Sequence, residues 1–238
     1  NLIFGCADEL ACNYNSDAIM HDSSCDYCIS GDYSLSFDGN DDYVYIENNI
    51  DLSIDNFSIL INFNSNQFSG SHSETLFRKD CDSGTNVYIG LEGDGLNFGL
   101  TTNNSYHEFS VPIDFSILEQ NDGWNELLCT YDGVTKQIFL NGTFMGSSNG
   151  SFGLVNECNQ EQITLGMNPP PAGSPFNGFI DNISILDYYG YYNSDNFSHS
   201  DFIAFWKFNA GQGEILYDHS GNQNHGTIYG AEWVENDV

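Results

Sequence analysis

A run of cysteine, aspartate and asparagine residues near the start of the chain offers the clearest chemistry in the sequence. Residues 5–28 read GCADELACNYNSDAIMHDSSCDYC and include four cysteines. Four thiolates can bind zinc, but such sites favour two closely spaced cysteine pairs, and only Cys25 and Cys28 have that spacing. Disulfides explain the segment better, because so short a segment cannot bury enough apolar surface to fold without cross-links.

Oxygen-bearing side chains between these cysteines offer a second chemistry, the binding of Ca²⁺. Calcium takes carboxylate and amide oxygens that a loop presents around it. The candidate ligands are Asp8, Asn13, Asn15, Asp17 and Asp22. The alternative is that these side chains form Asx turns and satisfy only their own backbone. The twelve-residue pattern of an EF-hand is missing here, so both interpretations stay open.

Three further cysteines lie outside this segment. Cys129 lies in the strand-like stretch ELLCTYD, on the same side as Leu127 and Tyr131, which predicts a buried free thiol. Cys81 and Cys158 lie in expected loops, and we expect them to pair with each other. The total of seven cysteines is odd, so one thiol must remain unpaired.

The charge of the chain limits its partners. The formal net charge is −30, from 34 acidic and 4 basic residues. Such a chain repels phosphate backbones and anionic lipid surfaces, so we expect no nucleic acid partner. The sequence has no run of 18 apolar residues, so we expect no membrane insertion. The aromatic content of 15% supplies enough material for a folded core.

Period-two alternation of apolar and polar residues recurs from residue 33 onward and predicts many short strands. DG and NG turn signals separate the predicted strands. Residues 114–120 are the one segment that suggests a short helical turn. This pattern predicts an all-β sandwich or barrel. The predicted strands cover residues 33–37, 43–47, 57–64, 75–79, 86–91, 96–101, 126–132, 135–142, 162–166, 179–186 and 202–209.

Three sequence motifs resemble those of the laminin-G-like, concanavalin A-like jelly-roll family found in bacterial surface proteins. They are FDGNDDYVYI (37–46), GWNELLCTYDGVTKQIFLNGTFMGS (123–147) and ITLGMNPPPAGSPFNGFIDNISIL (163–186), in the order of the family. The resemblance implies an antiparallel β-sandwich jelly roll. We therefore predict a laminin-G-like β-sandwich over residues 32–238. A Cys-rich linker module over residues 1–31 precedes it, with calcium binding or Asx turns as its two open interpretations.

The tail of the chain departs from the family's order. Residues 205–233, FWKFNAGQGEILYDHSGNQNHGTIYGAEW, resemble a block that usually precedes the FDG motif, whereas here it follows the last motif. Residues 201–238 are therefore expected to act as a completing segment, in one of two ways. They fold back as a permuted first strand of their own sandwich, or they are exchanged with a neighbouring copy.

The opening segment resembles a short module of secreted bacterial repeat proteins, whose copies often carry only the cysteines that match Cys6 and Cys25. The resemblance implies the pairs Cys6–Cys25 and Cys12–Cys28. Another NLIFGC placed after WVENDV would read as a joint between repeats. This suggests that the chain is one unit of an array, with neighbouring copies or adjacent repeats as partners.

The resemblance also implies a structural calcium site in the sandwich. Asp181 matches an acidic position that often holds Ca²⁺ near the FDG turn in such sandwiches. Asp38, Asp218 and Asn222 are the expected co-ligands. The alternative is that Asp38 and Asp218 only cap turns.

Sequence evidence for catalysis is weak, so we predict that the chain is not an enzyme. Glycosidases of this fold carry E-x-D-x-x-E on one strand, and the nearest stretch, EGDGLN (92–97), lacks the third carboxylate. We expect a secreted, calcium-stabilised structural or adhesive module at the cell surface. The alternative is a carbohydrate-binding lectin-type domain, with glycans or cell-surface proteins as partners. Candidate contact aromatics are Tyr106, His107, Trp124, Phe176 and residues 188–192, although Trp124 and Trp206 match core positions of the family.

Overall fold

Two eight-stranded β-sheets form the body of the protein. The computed structural model describes residues 2–22, 24–29, 31–47, 50–66, 68, 70–81, 84–149, 153–157, 161–169, 173–190 and 201–236. The strands are β1 (Phe4–Gly5), β2 (Met20–His21), β3 (Tyr33–Asp38), β4 (Tyr43–Ile46), β5 (Phe57–Ser65), β6 (Glu74–Cys81), β7 (Gly84–Glu92), β8 (Gly95–Thr102), β9 (Ser105–Pro112), β10 (Trp124–Tyr131), β11 (Thr135–Leu140), β12 (Thr143–Asn149), β13 (Glu161–Leu165), β14 (Asn177–Leu186), β15 (Phe202–Trp206), β16 (Ile215–Leu216), β17 (Gly226–Tyr229) and β18 (Glu232–Glu235).

The first sheet has the order β12-β11-β10-β5-β14-β3-β18, and β15 also pairs with β14. The second sheet has the order β16-β17-β4-β13-β6-β7-β8-β9. The helical content of the described residues is two 3₁₀ turns, Phe115–Ile117 and Asn121–Gly123. Neither has the length or apolar character that crossing a membrane would require. The predicted all-β antiparallel sandwich is confirmed.

Alternating side chains build the core between the sheets, as the period-two pattern requires. Ile61, Phe63, Leu127 and Ile180 from neighbouring strands are all fully buried. The sequence pattern missed the short strands β1, β2, β16, β17 and β18. It also missed β9 and β12, because both are edge strands of their sheets with mostly exposed or half-exposed residues. A strand with little buried face shows no clean alternation.

The tail of the chain completes its own sandwich. Strand β15 pairs with β14, β17 pairs with β4, and β18 pairs with β3. Trp206 is fully buried, and its indole Nε1 donates a hydrogen bond to the carbonyl of Asn224 at 2.8 Å. These pairings join the tail to strands of the same chain.

Disulfides cross-link the N-terminal module. Cys6 bonds to Cys25 and Cys12 bonds to Cys28, the two pairs that the resemblance implied. Cys81 is also in a disulfide, but Cys158, its expected partner, lies outside the described residues. Cys129 is a fully buried free thiol, as predicted, and burial raises the pKa of that thiol.

Tyr27 attaches the module to the tail of the sandwich. Its ring lies 4.7 Å from the Tyr217 ring, and its hydroxyl donates to Asp8 Oδ2 at 2.6 Å. His225 lies 2.7 Å from the same carboxylate oxygen through Nε2. Because His225 Nδ1 accepts the Asp218 N–H, Nε2 carries the proton and donates to Asp8. One buried carboxylate thus joins both parts of the chain.

Candidate functional site

Outward-facing side chains of three central strands form two rows on the first sheet, one polar and one mainly aromatic. Strand register aligns Glu126 with Asn62, and Asn62 with Asp181. The next row is Trp124, Asn64 and Phe179. These positions alternate with the buried core residues of β5, β10 and β14, so they face away from the second sheet.

This face of the sheet is open at one end and covered at the other. Ser58, on the same side of β5 as Asn62, is fully buried, and its Oγ donates to the carbonyl of Tyr188 at 2.6 Å. Leu60 and Leu128 are also buried on this side of the sheet. The exposed surface is therefore limited to the end of the strands that carries Asn62, Asn64 and Trp124.

Two adjoining depressions of about 450 Å³ and about 430 Å³ lie at this open end. They share Trp124 and Asn236, and we call them together the Trp124 groove. Both volumes are of the size that binds small ligands. The larger depression is lined by Asp32, Asn62, Trp124, Asn125, Glu126, Asn141, Asp181 and Asn236. The smaller is lined by Ser34, Asn64, Asn121, Asp122, Trp124, Phe179, Val234, Glu235 and Asn236.

A tight turn between β11 and β12 fixes one wall of the groove. Asn141 and Gly142 both have positive φ, 49° and 73°, which suits the two-residue Asn-Gly hairpin turn. The Asn141 side chain then accepts the Glu126 N–H at 2.8 Å and donates to Asn125 Oδ1 at 2.9 Å. These bonds hold the amide groups beside Trp124 in a defined orientation.

A β-bulge fixes the position of Asp181. The register of β14 shifts between Asp181 and Ile183, and Asn182 has a φ of 27°. Asp181 accepts hydrogen bonds from the Asn182 N–H at 2.7 Å and from Asn182 Nδ2 at 2.8 Å. Burial raises the pKa of Asp181 to about 6, and the nearby charge of Asp32 also acts to raise it.

The tail forms the third wall of the groove. The Asn236 N–H donates to the carbonyl of Asp32 at 2.9 Å, and its side chain donates to Asp32 Oδ1 at 2.7 Å. Asn236 directly follows β18, so the strand that closes the first sheet also brings an amide to the groove. Completion of the fold and formation of the groove therefore depend on the same segment.

The lining of the groove combines hydrogen-bonding groups with the large flat ring of Trp124. Carboxylates accept hydrogen bonds from hydroxyls, and asparagine amides both donate and accept them. The half-buried Trp124 ring offers an apolar face against which a ring-shaped ligand can stack. The arrangement suits a small, hydroxyl-rich molecule with an apolar face.

An acidic cluster lies apart from the groove, at the turn after β3. Carboxylate oxygens of Asp38, Asp41 and Asp42 lie within 4.8 Å of one another. Asp42 accepts the Asp38 N–H at 2.8 Å, and Asp38 accepts the Asn40 N–H at 2.8 Å. Hydrogen bonds from Asn40 lower the pKa of Asp38, whereas burial raises the pKa of Asp42.

The expected calcium clamp of the sandwich is not assembled as predicted. Asp181 lies in the Trp124 groove. Asp38 pairs with Asn177, four residues before Asp181 on β14. The buried Asp218 carboxylate accepts its hydrogen bonds from Phe205, Ser220 and Asn224. Asn222 donates to the carbonyls of Phe202 and Ile203. These interactions fix the tail. Of the predicted clamp residues, only Asp38 belongs to the acidic cluster, together with Asp41 and Asp42.

The five candidate ligands of the module are also dispersed. Asp8 is buried and receives the Tyr27 hydroxyl and His225. Asn15 and Asp22 accept backbone N–H groups two residues further on, as in Asx turns, and Asn13 bonds to the backbone of Ser24 and Asp26. In the described part of the module, Asp8, Asp17 and Asp22 do not meet as a group of carboxylates.

The candidate aromatics divide between core, groove and second sheet. Phe176 and Trp206 are fully buried, so Phe176 is not a contact residue. Trp124 lines the groove, contrary to the core position that the resemblance implied. Tyr106 and His107 lie on β9, at the edge of the second sheet. Tyr191 and Tyr192 of the tyrosine-rich stretch lie outside the described residues.

Sequence reasoning missed most of the groove, including Asn62, Glu126, Asn141 and Asn236. A signal was present in β5, where FSILINFNS carries two asparagines at alternate positions of an otherwise apolar strand. Polar residues at i and i+2 of a central strand indicate an open patch on one face of the sheet. The neighbouring strand then offers Trp124 and Glu126 at the paired positions.

Comparison with known proteins identifies relatives of the fold. A family model described as the concanavalin A-like lectin/glucanases superfamily, Laminin_G_3, matches residues 38–189. No curated protein matches the sequence.

Three solved structures illustrate the similarity. A candidate carbohydrate-binding protein from Bacteroides ovatus has a TM-score of 0.63 at 13% identity, covering 90% of this chain. This chain spans only 62% of that structure. The Ruminococcus gnavus IT-sialidase CBM40, bound to α2,3-sialyllactose, has a TM-score of 0.50 at 13% identity, with coverage of 68% of this chain and 92% of that one. The botulinum neurotoxin DC binding domain in complex with SialylT has a TM-score of 0.51 at 19% identity, with coverage of 68% and 42%. At sequence identities this low, the structural similarity shows a shared fold alone.

Proposed function

Because this chain belongs to the concanavalin A-like lectin/glucanases superfamily, we propose that it is a non-catalytic module that binds carbohydrate in the Trp124 groove. The observation that carries the proposal is the groove itself. In its larger depression, it places the Trp124 ring beside three carboxylates and several amides on the open face of the first sheet. Sugars present hydroxyls at their edges and apolar C–H groups on their faces, so this lining complements both.

The known relatives of the fold give this proposal further support. The Bacteroides ovatus neighbour is described as carbohydrate-binding, and the CBM40 neighbour holds a sialylated sugar. An E-x-D-x-x-E strand is missing from the sequence, so we propose binding without hydrolysis.

Replacing Trp124 with alanine is expected to weaken carbohydrate binding at least tenfold. The substitution removes the indole ring that both depressions share, and tenfold corresponds to about 1.4 kcal/mol of binding free energy. A glycan array identifies the bound sugars, and calorimetric titration then compares the variants.

Tyr106→Ala is the matched control, because Tyr106 is an exposed aromatic on the second sheet. That variant should bind like the unmodified protein. An array without any bound glycan, or equal affinity in the Trp124 variant, would refute carbohydrate binding at this groove.

We also propose that the protein binds Ca²⁺ at Asp38, Asp41 and Asp42. These carboxylates supply the hard oxygen ligands that calcium prefers, and Gly39 in the turn has a φ of 79° that brings them together. The ion's two positive charges would offset most of the repulsion among three neighbouring carboxylates in a chain of net charge −30. The module's own aspartates support a site less well, because Asp8 is committed to Tyr27 and His225.

Removal of calcium with EDTA is expected to lower the melting temperature, and added Ca²⁺ should restore it. An ion at 100 times its dissociation constant stabilises a fold by about 2.7 kcal/mol. Asp41→Asn should abolish this response in differential scanning calorimetry. Asp17→Asn, which removes the same charge from the module, should retain it. A melting temperature unaffected by either treatment would disprove the site.

We propose further that the chain acts outside the cell, at the cell surface. Disulfides such as Cys6–Cys25 persist in oxidising compartments, which supports this location. The close attachment of the module to the sandwich through Asp8 also suits a rigid unit within a repetitive adhesin. Adjacent repeats would then be partners of the chain, besides glycans.

A further inference from the structure

We infer that the Trp124 groove selects saccharides by charge, taking sugars with an unsubstituted amino group in preference to neutral ones and excluding acidic sugars. This inference rests on the proposed function and names the class of ligand that the same groove would bind. It follows from the charged groups that line the groove and from the places where the basic residues of the chain lie.

Every charged side chain in the described lining of the groove is acidic. Asp32, Glu126 and Asp181 surround the larger depression, and Asp122 and Glu235 border the smaller one. The remaining polar groups of the described lining are neutral amides and the hydroxyl of Ser34, together with the Trp124 indole. A ligand in this groove therefore meets hydrogen-bond acceptors of negative charge on several sides.

The four basic residues of the chain are all engaged elsewhere. Arg78 forms an ion pair with Asp80 on the second sheet, at 2.8 Å. Lys79 is buried on the same strand. Lys136 donates to the carbonyls of Phe98 and His107. Lys207 lies over the ring of Phe205, 5.4 Å from its centroid. None of the four belongs to the described lining of either depression.

Asp181 shows the charge preference most directly. Its two hydrogen bonds come from neutral donors of Asn182, at 2.7 and 2.8 Å. The charged group that influences it is Asp32, another carboxylate. The raised pKa of Asp181 agrees with a carboxylate that has no positive neighbour among the described residues. A protonated amine in the groove would supply the missing positive charge.

An acidic sugar would instead add a further negative charge to this group. Its carboxylate would leave water for a site that offers it no cationic partner in its described lining, and the carboxylates already present would repel it. This predicts a difference from the two neighbours whose complexes contain sialylated ligands. The charge of the preferred ligand depends on the side chains that line the groove, and these can differ between proteins that share a fold.

Titration of matched oligosaccharides tests the inference. A glucosamine oligomer is compared with the N-acetylated oligomer of the same length, at a pH above the Asp181 pKa of about 6 that still leaves amines of the oligomer charged. α2,3-Sialyllactose is compared with lactose. We expect the glucosamine oligomer to bind at least tenfold more tightly than its acetylated form, with a smaller ratio in high salt. Sialyllactose should bind at least tenfold more weakly than lactose.

Two variants separate the groove from the general negative charge of the chain. Asp181→Asn should reduce the preference for the free amine, measured as the ratio of the two dissociation constants, to threefold or less. Glu92→Gln makes the same charge change at an exposed position of the second sheet and should leave the preference unchanged. An equal loss of preference in both variants would overturn the inference. The amine would then be attracted by the overall negative charge of the chain, and not by the groove.

The remaining outcomes distinguish the inference from the proposed function. If saccharides bind in a Trp124-dependent manner but sialyllactose matches lactose, or the free amine gives no advantage, charge selection is disproved and the binding function stands. If no saccharide of the set binds, the inference fails; if the glycan array also shows no bound sugar, or Trp124→Ala binds every sugar unchanged, the proposed function fails with it.

Discussion

Asp181→Asn is expected to stabilise the folded protein at neutral pH, although Asp181 lies in the proposed binding groove. Burial and the charge of Asp32 raise the pKa of Asp181 from 3.8 to about 6. The folded state therefore holds a carboxylate whose ionised form is disfavoured, and an asparagine avoids that cost. A shift of this size corresponds to roughly 3 kcal/mol, and the net gain is smaller because asparagine can accept only one of the two hydrogen bonds from Asn182. Urea denaturation at pH above 7 measures the gain.

The pH dependence of this gain has a definite sign. Between pH about 6 and 3.8, the folded state of the unmodified protein binds a proton at Asp181 that the unfolded state does not. Its stability therefore rises from this group as the pH falls through that range. The advantage of Asp181→Asn should be greatest above pH 6 and vanish near pH 4. His219, whose pKa burial lowers to about 4, acts in the opposite direction but is present in both proteins.

Asp114→Asn is the control for this prediction. Asp114 is exposed and accepts the Ser116 N–H, and its pKa is lowered by that bond, so its neutralisation should bring no gain. A less stable Asp181→Asn variant at pH 7 would contradict the prediction. It would mean that Asp181 has a cationic partner in solution. A gain in stability with a loss of amine binding would identify Asp181 as a residue kept for binding rather than for folding.

Asp218→Ala is expected to cost at least about 3 kcal/mol of unfolding free energy. The buried Asp218 carboxylate accepts backbone N–H groups of Phe205, Ser220 and Asn224, together with the Ser220 hydroxyl. Alanine would leave four donors without their acceptor, and each unsatisfied buried donor costs about 1–3 kcal/mol. Total stabilities are about 5–15 kcal/mol, so the variant should be close to unfolding at 37 °C.

Asp51→Ala provides the comparison for Asp218. The exposed Asp51 accepts hydrogen bonds from the N–H and the hydroxyl of Ser53, and water can replace it there, so its loss should cost about 1 kcal/mol or less. Guanidinium denaturation followed by tryptophan fluorescence compares the two variants, because Trp206 lies in the tail that Asp218 organises. Equal stability of both variants would mean that the tail is not needed for the sandwich.

The sequence predicted the strands well and the residue clusters poorly, for a physical reason. The alternation in FSILINFNS and WNELLCTY depends only on which side chains of one strand face the core, and this is a local property. A cluster depends on the register between strands that are distant in sequence. Asn177 pairs with Asp38, so Asp181 lies four residues further along β14, roughly 13 Å away. The family motif alone could not give that distance.

The Trp124 groove shows the same limit. Glu126 and Asp181 reach it only because both strands pair with β5 at Asn62. Asn236 reaches it because β18 pairs with β3. The bulge at Asn182 then turns Asp181 outward and Ile183 inward. None of these three facts is visible in any one segment of the sequence.

The pairing of β18 with β3 also determines how the protein would respond to mechanical force. The strands are antiparallel, and Asn236 lies beside Asp32 at one end of their ladder. A pull that separates these two residues loads the ladder from that end, so its hydrogen bonds break one after another rather than all together. The hydrogen bonds between Asn236 and Asp32, at the edge of the groove, would break first. Tension applied between these two residues would therefore open the edge of the binding surface before it unfolds the sandwich.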